Sequence, residues 1–341
     1  MKPLVTALID TYNHEKHIER ALLSVLEQGL SAGELEIVVV DDGSTDRTAS
    51  IVEKFKARVK LIRKPNGGQA SAFNAGFAES RGDMIAMLDG DDWWATKKLQ
   101  TVLKAFDENP DVAGVSHGYY EFFEGTQDVR VHRPDRETRI YLTTPSTVRE
   151  AHSSWRYLLP SALTVRRKVL EWILPLPESM VFMADTPIQV AAMFMGTLVL
   201  EEPLFYYRQH DQNYFAIDSS DRNKLRRRSE MAKRVYRRLP EMFIRRGVHP
   251  ECIWALLLPQ EEHWFQFDPP GRGRFLWFLL RQNYWCRSQQ TWRFTGLNYL
   301  AAFAALYFGY RHHDRMYEWR GRAAAAVERW YRSASIWRAG S

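Results

Sequence analysis

Residues 84–94 read "MIAMLDGDDWW". Met84 to Leu88 are apolar. Asp89, Asp91 and Asp92 follow within four residues, and then come two tryptophans. Three carboxylates this close repel one another, while the apolar run before them belongs in a core. The pattern fits a buried strand that stops at an acidic edge, where the charges become favourable once they share a cation. An Asp-x-Asp pair with no His or Cys beside it is a hard-oxygen site, suited to Mg²⁺ or Mn²⁺ rather than zinc. Such ions usually take one or two carboxylates and complete their shell with substrate phosphates. The implied ligand therefore carries phosphate. Gly90 allows the backbone to turn tightly between Asp89 and Asp91. The competing reading is a solvated acidic turn ahead of a helix over "ATKKLQTVLKAF".

Outward from this stretch, apolar runs alternate with helical periodicity. Leu4–Ile9, Glu36–Val40 and Val59–Ile62 read as three further strands, and Met84–Leu88 is the fourth. Helices are expected over His14–Gln28, Thr45–Ala57 and Gln69–Ser80. The continuous Val/Ile content of the second strand marks burial on both faces. A β-α-β-α-β-α-β order implies an α/β fold, a mostly parallel sheet flanked by helices. In such sheets ligands bind beyond the carboxyl ends of the strands. Three strands end in acid there: the first in Asp10, the second in Asp41 and Asp42, the fourth in Asp89, Asp91 and Asp92. Any one of these could be a turn or helix cap.

Composition sets the outer limits. The chain has 341 residues, and no run of 18 apolar residues marks a membrane span. The N-terminus lacks the pattern of a signal peptide. With two cysteines, Cys252 and Cys286, a disulfide framework is excluded and a cytoplasmic setting is expected. Charge divides the chain. Residues 1–210 hold 24 Lys+Arg against 29 Asp+Glu, and residues 211–341 hold 23 against 12. Two regions are expected, a catalytic domain over 1–215 and a basic, aromatic-rich helical region over 216–341.

Four segments carry a resemblance. They are "LIDTYNHEKHIERALLSVLEQ" (8–28), "EIVVVDDGSTDRT" (36–48), "KPNGGQASAFNAGFAESRGDMIAMLDGDDWW" (64–94) and "PLFYYRQHDQN" (203–213). In this order and spacing the chain resembles the family 2 glycosyltransferases of the GT-A, Rossmann-like fold. That resemblance implies an inverting transferase using a nucleoside-diphosphate sugar, UDP-linked, with Mn²⁺ or Mg²⁺. Asp10, Tyr12, Asp41, Asp42 and Asp89 would hold the nucleotide, and Gly67 and Gly68 would let it approach the backbone. Asp91, with Asp89 and His210, would hold the metal, and Arg208 would buttress the site. Family members usually carry Glu-Asp at a helix start, with the Asp as base. Here Asp185 keeps the Asp, Ala184 replaces the Glu, and Asp185 also reads as a helix N-cap. The family's usual Ser after the Asn is absent, with Phe215 in its place.

The acceptor implied is a glycan or lipid-linked glycan in cell-surface polysaccharide synthesis. Tyr119, Tyr120, Phe122, Trp155 and Trp172 are candidates to stack on its sugar rings. The basic C-terminal region reads either as a helical cap on the catalytic domain or as a peripheral contact with the inner face of the cell membrane. No recognised nucleic-acid motif is present. Two rivals remain: a sugar-phosphate nucleotidyltransferase, whose Gly-rich N-terminal signature is missing, and a catalytically inactive nucleotide-sugar-binding module.

Overall fold

The structure, a computed structural model, describes residues 3–143, 147, 151, 154–211, 213, 222–249, 252, 253 and 256. The side chains of residues 222–229, 231 and 233 are outside that description. The N-terminal half is the expected repeat: β1 (Val5–Thr11), α1 (Ile18–Leu26), β2 (Leu35–Asp41), α2 (Thr48–Glu53), β3 (Lys60–Arg63), α3 (Gln69–Glu79) and β4 (Met84–Asp89). These four strands lie parallel in the order β3-β2-β1-β4. Then come β5 (Trp93–Trp94), α4 (Lys98–Glu108), β6 (Gly114–Phe123), β7 (Val129–His132), β8 (Thr138–Ile140) and β9 (Thr164–Arg166). The remaining elements are α5 (Arg167–Ile173), α6 (Asp185–Met195), β10 (Thr197–Gln209) and α7 (Arg222–Ile244). Short β9 runs antiparallel between β4 and β6, and the sheet continues through β10 to β5. β6 and β10 pair in parallel, so the long strands share one direction.

Alternation along the central strands gives the sheet two buried faces. Val5, Ala7 and Ile9 of β1 share one core with Ile37 and Val39 of β2 and Ala86 and Leu88 of β4. Ile18, Ala21, Leu22 and Val25, at helical spacing along α1, cover that face. On the opposite face α3 lies very close. A Cβ on Gly76 would come within 2.3 Å of Leu8 and 2.8 Å of Val40, so only glycine lets the helix seat there.

Two helices start later than their periodicity predicts. The backbone N–H groups of Asn13, His14 and Glu15 donate to Ser44 Oγ, Thr48 Oγ1 and Asp46 Oδ2. The chain is thereby held as a turn, with Asn13 at φ 56°, and α1 begins only at Ile18. Asp46 Oδ1 accepts from both the N–H and the hydroxyl of Thr48, so Thr45 and Asp46 are cap rather than helix.

Residues 1–221 and 230–252 group as one compact unit. Within it the second half of α7 buries Tyr236, Leu239 and Phe243. Phe243 packs between Trp172 and Phe194 at 5.6 and 5.7 Å, and Arg246 donates to the Trp172 carbonyl at 2.7 Å. The rest of the helical region expected over 216–341, including the Trp/Arg-rich segments, lies outside the described residues. Among the described residues no helix is long and apolar enough to cross a membrane.

Candidate active site

Asp10 and Asp89 stand opposite each other in register on β1 and β4, at the carboxyl ends of both strands. They line a cleft of about 520 Å³ with Asp91, Asp92, Asp42 and Asp185. The Oδ1 atoms of Asp10 and Asp89 are buried without a hydrogen-bond partner among the described residues. Burial, and then the neighbouring Asp91 charge, raises the Asp10 carboxyl to about 7. Burial and the charges of Asp10, Asp92 and Asp91 push Asp89 well above the usual carboxylate range. Two carboxyls so placed ionise together only if a cation joins them.

Asp91 behaves differently. Burial works to raise it, but His14 and His210 outweigh burial and take it down to about 2. His210 Nε2 lies 3.2 Å from Asp91 Oδ2, and His14 Nε2 lies 3.9 Å from the same oxygen. The His210 ring rests on buried His17, centroids 4.6 Å apart. His17 is held down at about 4 by burial and by the adjacent Arg208 and His210. A Cβ on Gly90 would meet Thr11 Oγ1 at 2.6 Å and His14 Nδ1 at 2.8 Å, so the Asp-Gly-Asp turn closes only with glycine.

A buried polar frame fixes this turn. Asp92 Oδ1 accepts the Arg208 N–H at 2.9 Å, and its Oδ2 accepts the Ser161 hydroxyl at 2.6 Å. Arg208 Nε donates to the Asp91 carbonyl at 2.8 Å, the buttress expected of it. The Ser161 carbonyl takes both the Trp94 indole N–H and the ammonium of buried Lys98. Burial drives Asp92 up and Lys98 down, each toward its neutral form.

The other wall is built from the 64–68 loop and the 180–185 segment. Asp42 lines the cleft, but its carboxylate is engaged by the protein. Lys64 Nζ donates to Oδ1 at 2.6 Å, Gly67 N–H to Oδ1 at 3.0 Å and Gly68 N–H to Oδ2 at 2.7 Å. Gly68, at φ 80°, lines the cleft and packs closely on protein. A Cβ there would sit 2.5 Å from Val181. The Val181 carbonyl accepts the Gln69 N–H at the start of α3, and Gln69 Oε1 accepts the Ala184 N–H. Ala184 is fully buried, which leaves no room for the family's Glu. It is also the N-cap of α6. Asp185 is the first helical residue, not the cap, and Gln189 Nε2 donates to its Oδ2 at 2.5 Å. Burial raises Asp185 to about 6.

The structure thus brings Asp10, Tyr12, Asp42, Gly68, Asp89, Asp91 and Asp185 to one cleft, with His210 on Asp91. Asp41 and Gly67 do not line it. Asp41 Oδ1 accepts the Ser44 N–H and stabilises the turn after β2. None of Tyr119, Tyr120, Phe122, Trp155 and Trp172 lines it either. Tyr120 stacks on Tyr206, Phe122 meets Trp93 edge-on, and Tyr119 stacks on His132, all as packing within the sheet region. Sequence reasoning did not single out His14, Ser161 or the Val181–Met183 wall. His14 alone had a signal, four residues after Asp10 in the same strand-end loop.

Residues 6–173 match the model of the family described as Glycosyl transferase family 2. This stretch of the chain belongs to glycosyltransferase family 2. An uncharacterized glycosyltransferase of Nostoc sp. is 34% identical over 215 residues, covering 61% of this chain and 66% of that protein. The chain spans just under two thirds of the length of the first curated relatives it matches, at 66% and 64%. Residues 1–349 of TarS from S. aureus, solved in complex with UDP-GlcNAc, superpose with a TM-score of 0.60 at 18% identity. That match covers 85% of this chain and 82% of that 1–349 chain. A mannosyltransferase of Pyrobaculum calidifontis, solved with GDP-Man and Mn²⁺, superposes with a TM-score of 0.50 at 20% identity, covering 95% and 87%. At these identities the shared property is the GT-A architecture.

The donor set of this family 2 domain fits a divalent cation of the magnesium type. It offers hard carboxylate oxygens, two of them buried and unpartnered, and one imidazole on Asp91. Among the described residues no three His, Cys, Asp or Glu side chains are spaced to hold a metal by themselves. Ions of this type complete their shell with water and ligand oxygens.

Proposed function

We propose that the chain is a metal-dependent, inverting glycosyltransferase. It moves a sugar from a nucleoside diphosphate, uridine-linked, to a hydroxyl of a glycan or lipid-linked glycan during cell-surface polysaccharide synthesis. The carrying observation is the placement of Asp185, raised to about 6, in the same cleft as Asp10, Asp89 and Asp91. A general base works best near ambient pH. A cleft that pairs one such base with a partly built cation site has the two parts that sugar transfer from a diphosphate needs.

Half-exposed Tyr12 at the cleft offers a ring face to the nucleotide base. Asp42 acts on the nucleotide through the loop it pins. Asp91 and His210, with Asp89 and Asp10, would hold Mn²⁺ or Mg²⁺ against the donor's diphosphate. When bound, the metal supplies charge stabilisation to the leaving diphosphate. Asp185 accepts the proton of the acceptor hydroxyl as its oxygen attacks the anomeric carbon. The bond from that carbon to the phosphate oxygen breaks, and the electron pair leaves with the diphosphate. One displacement with one base inverts the anomeric centre. Arg208, Ser161 and Asp92 hold the Asp91 turn so that its geometry is set before the donor arrives.

Calorimetry with UDP, with and without Mn²⁺, tests this reading. Wild-type protein is expected to bind UDP far more tightly with the metal, and Asp91→Ala to lose that increment while melting cooperatively. Equal metal-dependent binding in the variant would rule the site out. A thermal-shift panel of UDP-, GDP-, dTDP- and CMP-sugars then identifies the donor, because binding to the native state raises the Tm.

A further inference from the structure

A second pocket, of about 460 Å³, lies behind the Val181–Phe182 wall of the cleft. Segment 179–182 forms one side. Three arginines of α7, Arg234, Arg237 and Arg238, form the other, with Val235 between them. Both sides belong to the same compact unit. Positions 234, 237 and 238 fall on one face of the helix, where like charges repel and weaken it. Among the described residues these arginines meet no carboxylate. Arg238 donates to Ser179 Oγ, and that is the polar tie between helix and segment. Three guanidinium groups gathered with no counter-charge among the described residues, in a pocket much larger than a water site, form a receptor for an anion. Guanidinium groups match phosphate geometry in a way that lysines do not.

Position narrows the choice of anion. Val181 and Phe182 line both the acidic cleft and this pocket. Only two residues, Met183 and Ala184, separate Phe182 from Asp185, a reach of at most about 11 Å. Between Arg234 and Arg237, the same helix buries Tyr236 near Asp185, hydrogen-bonded to Thr186. A group held by the arginines therefore belongs to a molecule whose neighbouring atoms can reach the base. The donor's diphosphate is accounted for on the carboxylate side, where a cation is needed to bind it. The basic pocket shares the Val181–Phe182 wall with the cleft that holds Asp185, apart from those carboxylates.

Resting on the transferase reading above, we infer that the pocket binds a phosphate of the acceptor. The acceptor substrate is then a phosphate-bearing glycan or polyol, with a diphosphate or phosphodiester close to the hydroxyl that is glycosylated. A neutral polysaccharide is the wrong substrate class. The phosphate sets the acceptor's register, and the Val181–Phe182 wall keeps it apart from the donor's own diphosphate.

The test uses the full chain in buffer with chelator, so that the carboxylate cleft has no cation and repels anions. Inorganic diphosphate and a short glycerol-phosphate oligomer are titrated by calorimetry. Wild-type protein is expected to bind at least one of them, and the better probe identifies the source, a diphosphate-linked or a phosphodiester-linked acceptor. Arg234→Gln with Arg237→Gln and Arg238→Gln is expected to weaken that binding at least tenfold. Mn²⁺-dependent UDP binding should stay unchanged in this variant, which also reports that it is folded. Asp91→Ala should show the opposite pattern. If neither probe binds wild-type protein, or the triple variant binds as well as wild type, the inference is overturned. Retained affinity for soluble probes together with lost sedimentation on phosphatidylglycerol vesicles would instead assign the arginines to a membrane surface. Loss of the metal-dependent UDP increment in wild type overturns the transferase reading, and is read in a separate titration.

Discussion

Asp185 has to be buried enough to hold a proton and charged enough to take one. Burial raises it to about 6, so it is ionised at neutral pH yet basic enough to accept from a hydroxyl whose acidity grows during attack. The rate of transfer is therefore expected to rise about tenfold per pH unit below pH 6 and to level off above it. Asp185→Asn keeps the Gln189 contact by an amide flip and removes the acceptor. Transfer is expected to fall by about 10²- to 10⁴-fold, with donor affinity little changed; undiminished transfer would place the base elsewhere. The same burial acts on stability. The folded chain binds this proton more tightly than the unfolded chain does, so the contribution is present below about pH 4 and is lost as pH rises through 6. Asp185→Asn should flatten that limb and gain at most about 3 kcal/mol at neutral pH, read from urea melts at pH 4 and pH 7.5. Asp42 has a different task, since its carboxylate holds Lys64, Gly67 and Gly68. Asp42→Ala strands those donors. It should cost about 1.5–3 kcal/mol in stability and weaken UDP binding through the loop, measurable by melts and calorimetry on one preparation.

At the scale of elements, the cleft depends on how α3 meets the 180–184 segment. The first N–H groups of α3 are satisfied by the carbonyls of Met180 and Val181, and Gly68 makes the approach possible. Gly68→Ala places a methyl 2.5 Å from Val181 at a φ of 80°, so the segment must move and carry Asp185 with it. Transfer is expected to drop more steeply than metal-dependent UDP binding. Gly125→Ala, with open space around it, should change neither; equal losses in kcat and UDP affinity at Gly68 would mean that the loop serves the donor alone. This contact joins positions more than a hundred residues apart, and nothing local in "PNGGQAS" or "ESMVFMAD" announces it. The strands were legible because their apolar runs are set by burial on both faces, a property each run carries in itself. The carboxylates at strand ends were legible for the same reason, since a parallel sheet fixes where they gather. The start of α1 was not, because Ser44, Asp46 and Thr48 hold it from another loop. Nor were the bonds that tie Asp42 to Lys64, Gly67 and Gly68, or the packing of Gly68 on Val181, which a strand-end motif does not announce.

Across the whole chain, charge is sorted by position. Within the first 210 residues, Asp10, Asp42, Asp89, Asp91, Asp92 and Asp185 converge on one cleft. Residues 211–341 carry 23 Lys+Arg against 12 Asp+Glu. Anionic acceptors and anionic lipid surfaces both favour such a distribution, and a transferase that extends lipid-linked glycans would meet both on the cytoplasmic face of a membrane. The proposed setting is therefore peripheral, held by charge and by the aromatic residues interleaved with the arginines. Full-length protein is expected to co-sediment with phosphatidylglycerol vesicles at low ionic strength and to leave phosphatidylcholine vesicles unbound. Raising salt should release it, because exposed charges are screened over about 10 Å at 0.1 M. Charge attraction alone would be lost entirely at high salt, whereas inserted tryptophans would leave a salt-resistant fraction with blue-shifted fluorescence. The Arg234, Arg237 and Arg238 triple variant should keep most of this binding, since those three are a small part of the basic excess and face a pocket. Equal partitioning to neutral and anionic vesicles, or none to either, would rule out a charge-held membrane contact for the basic region.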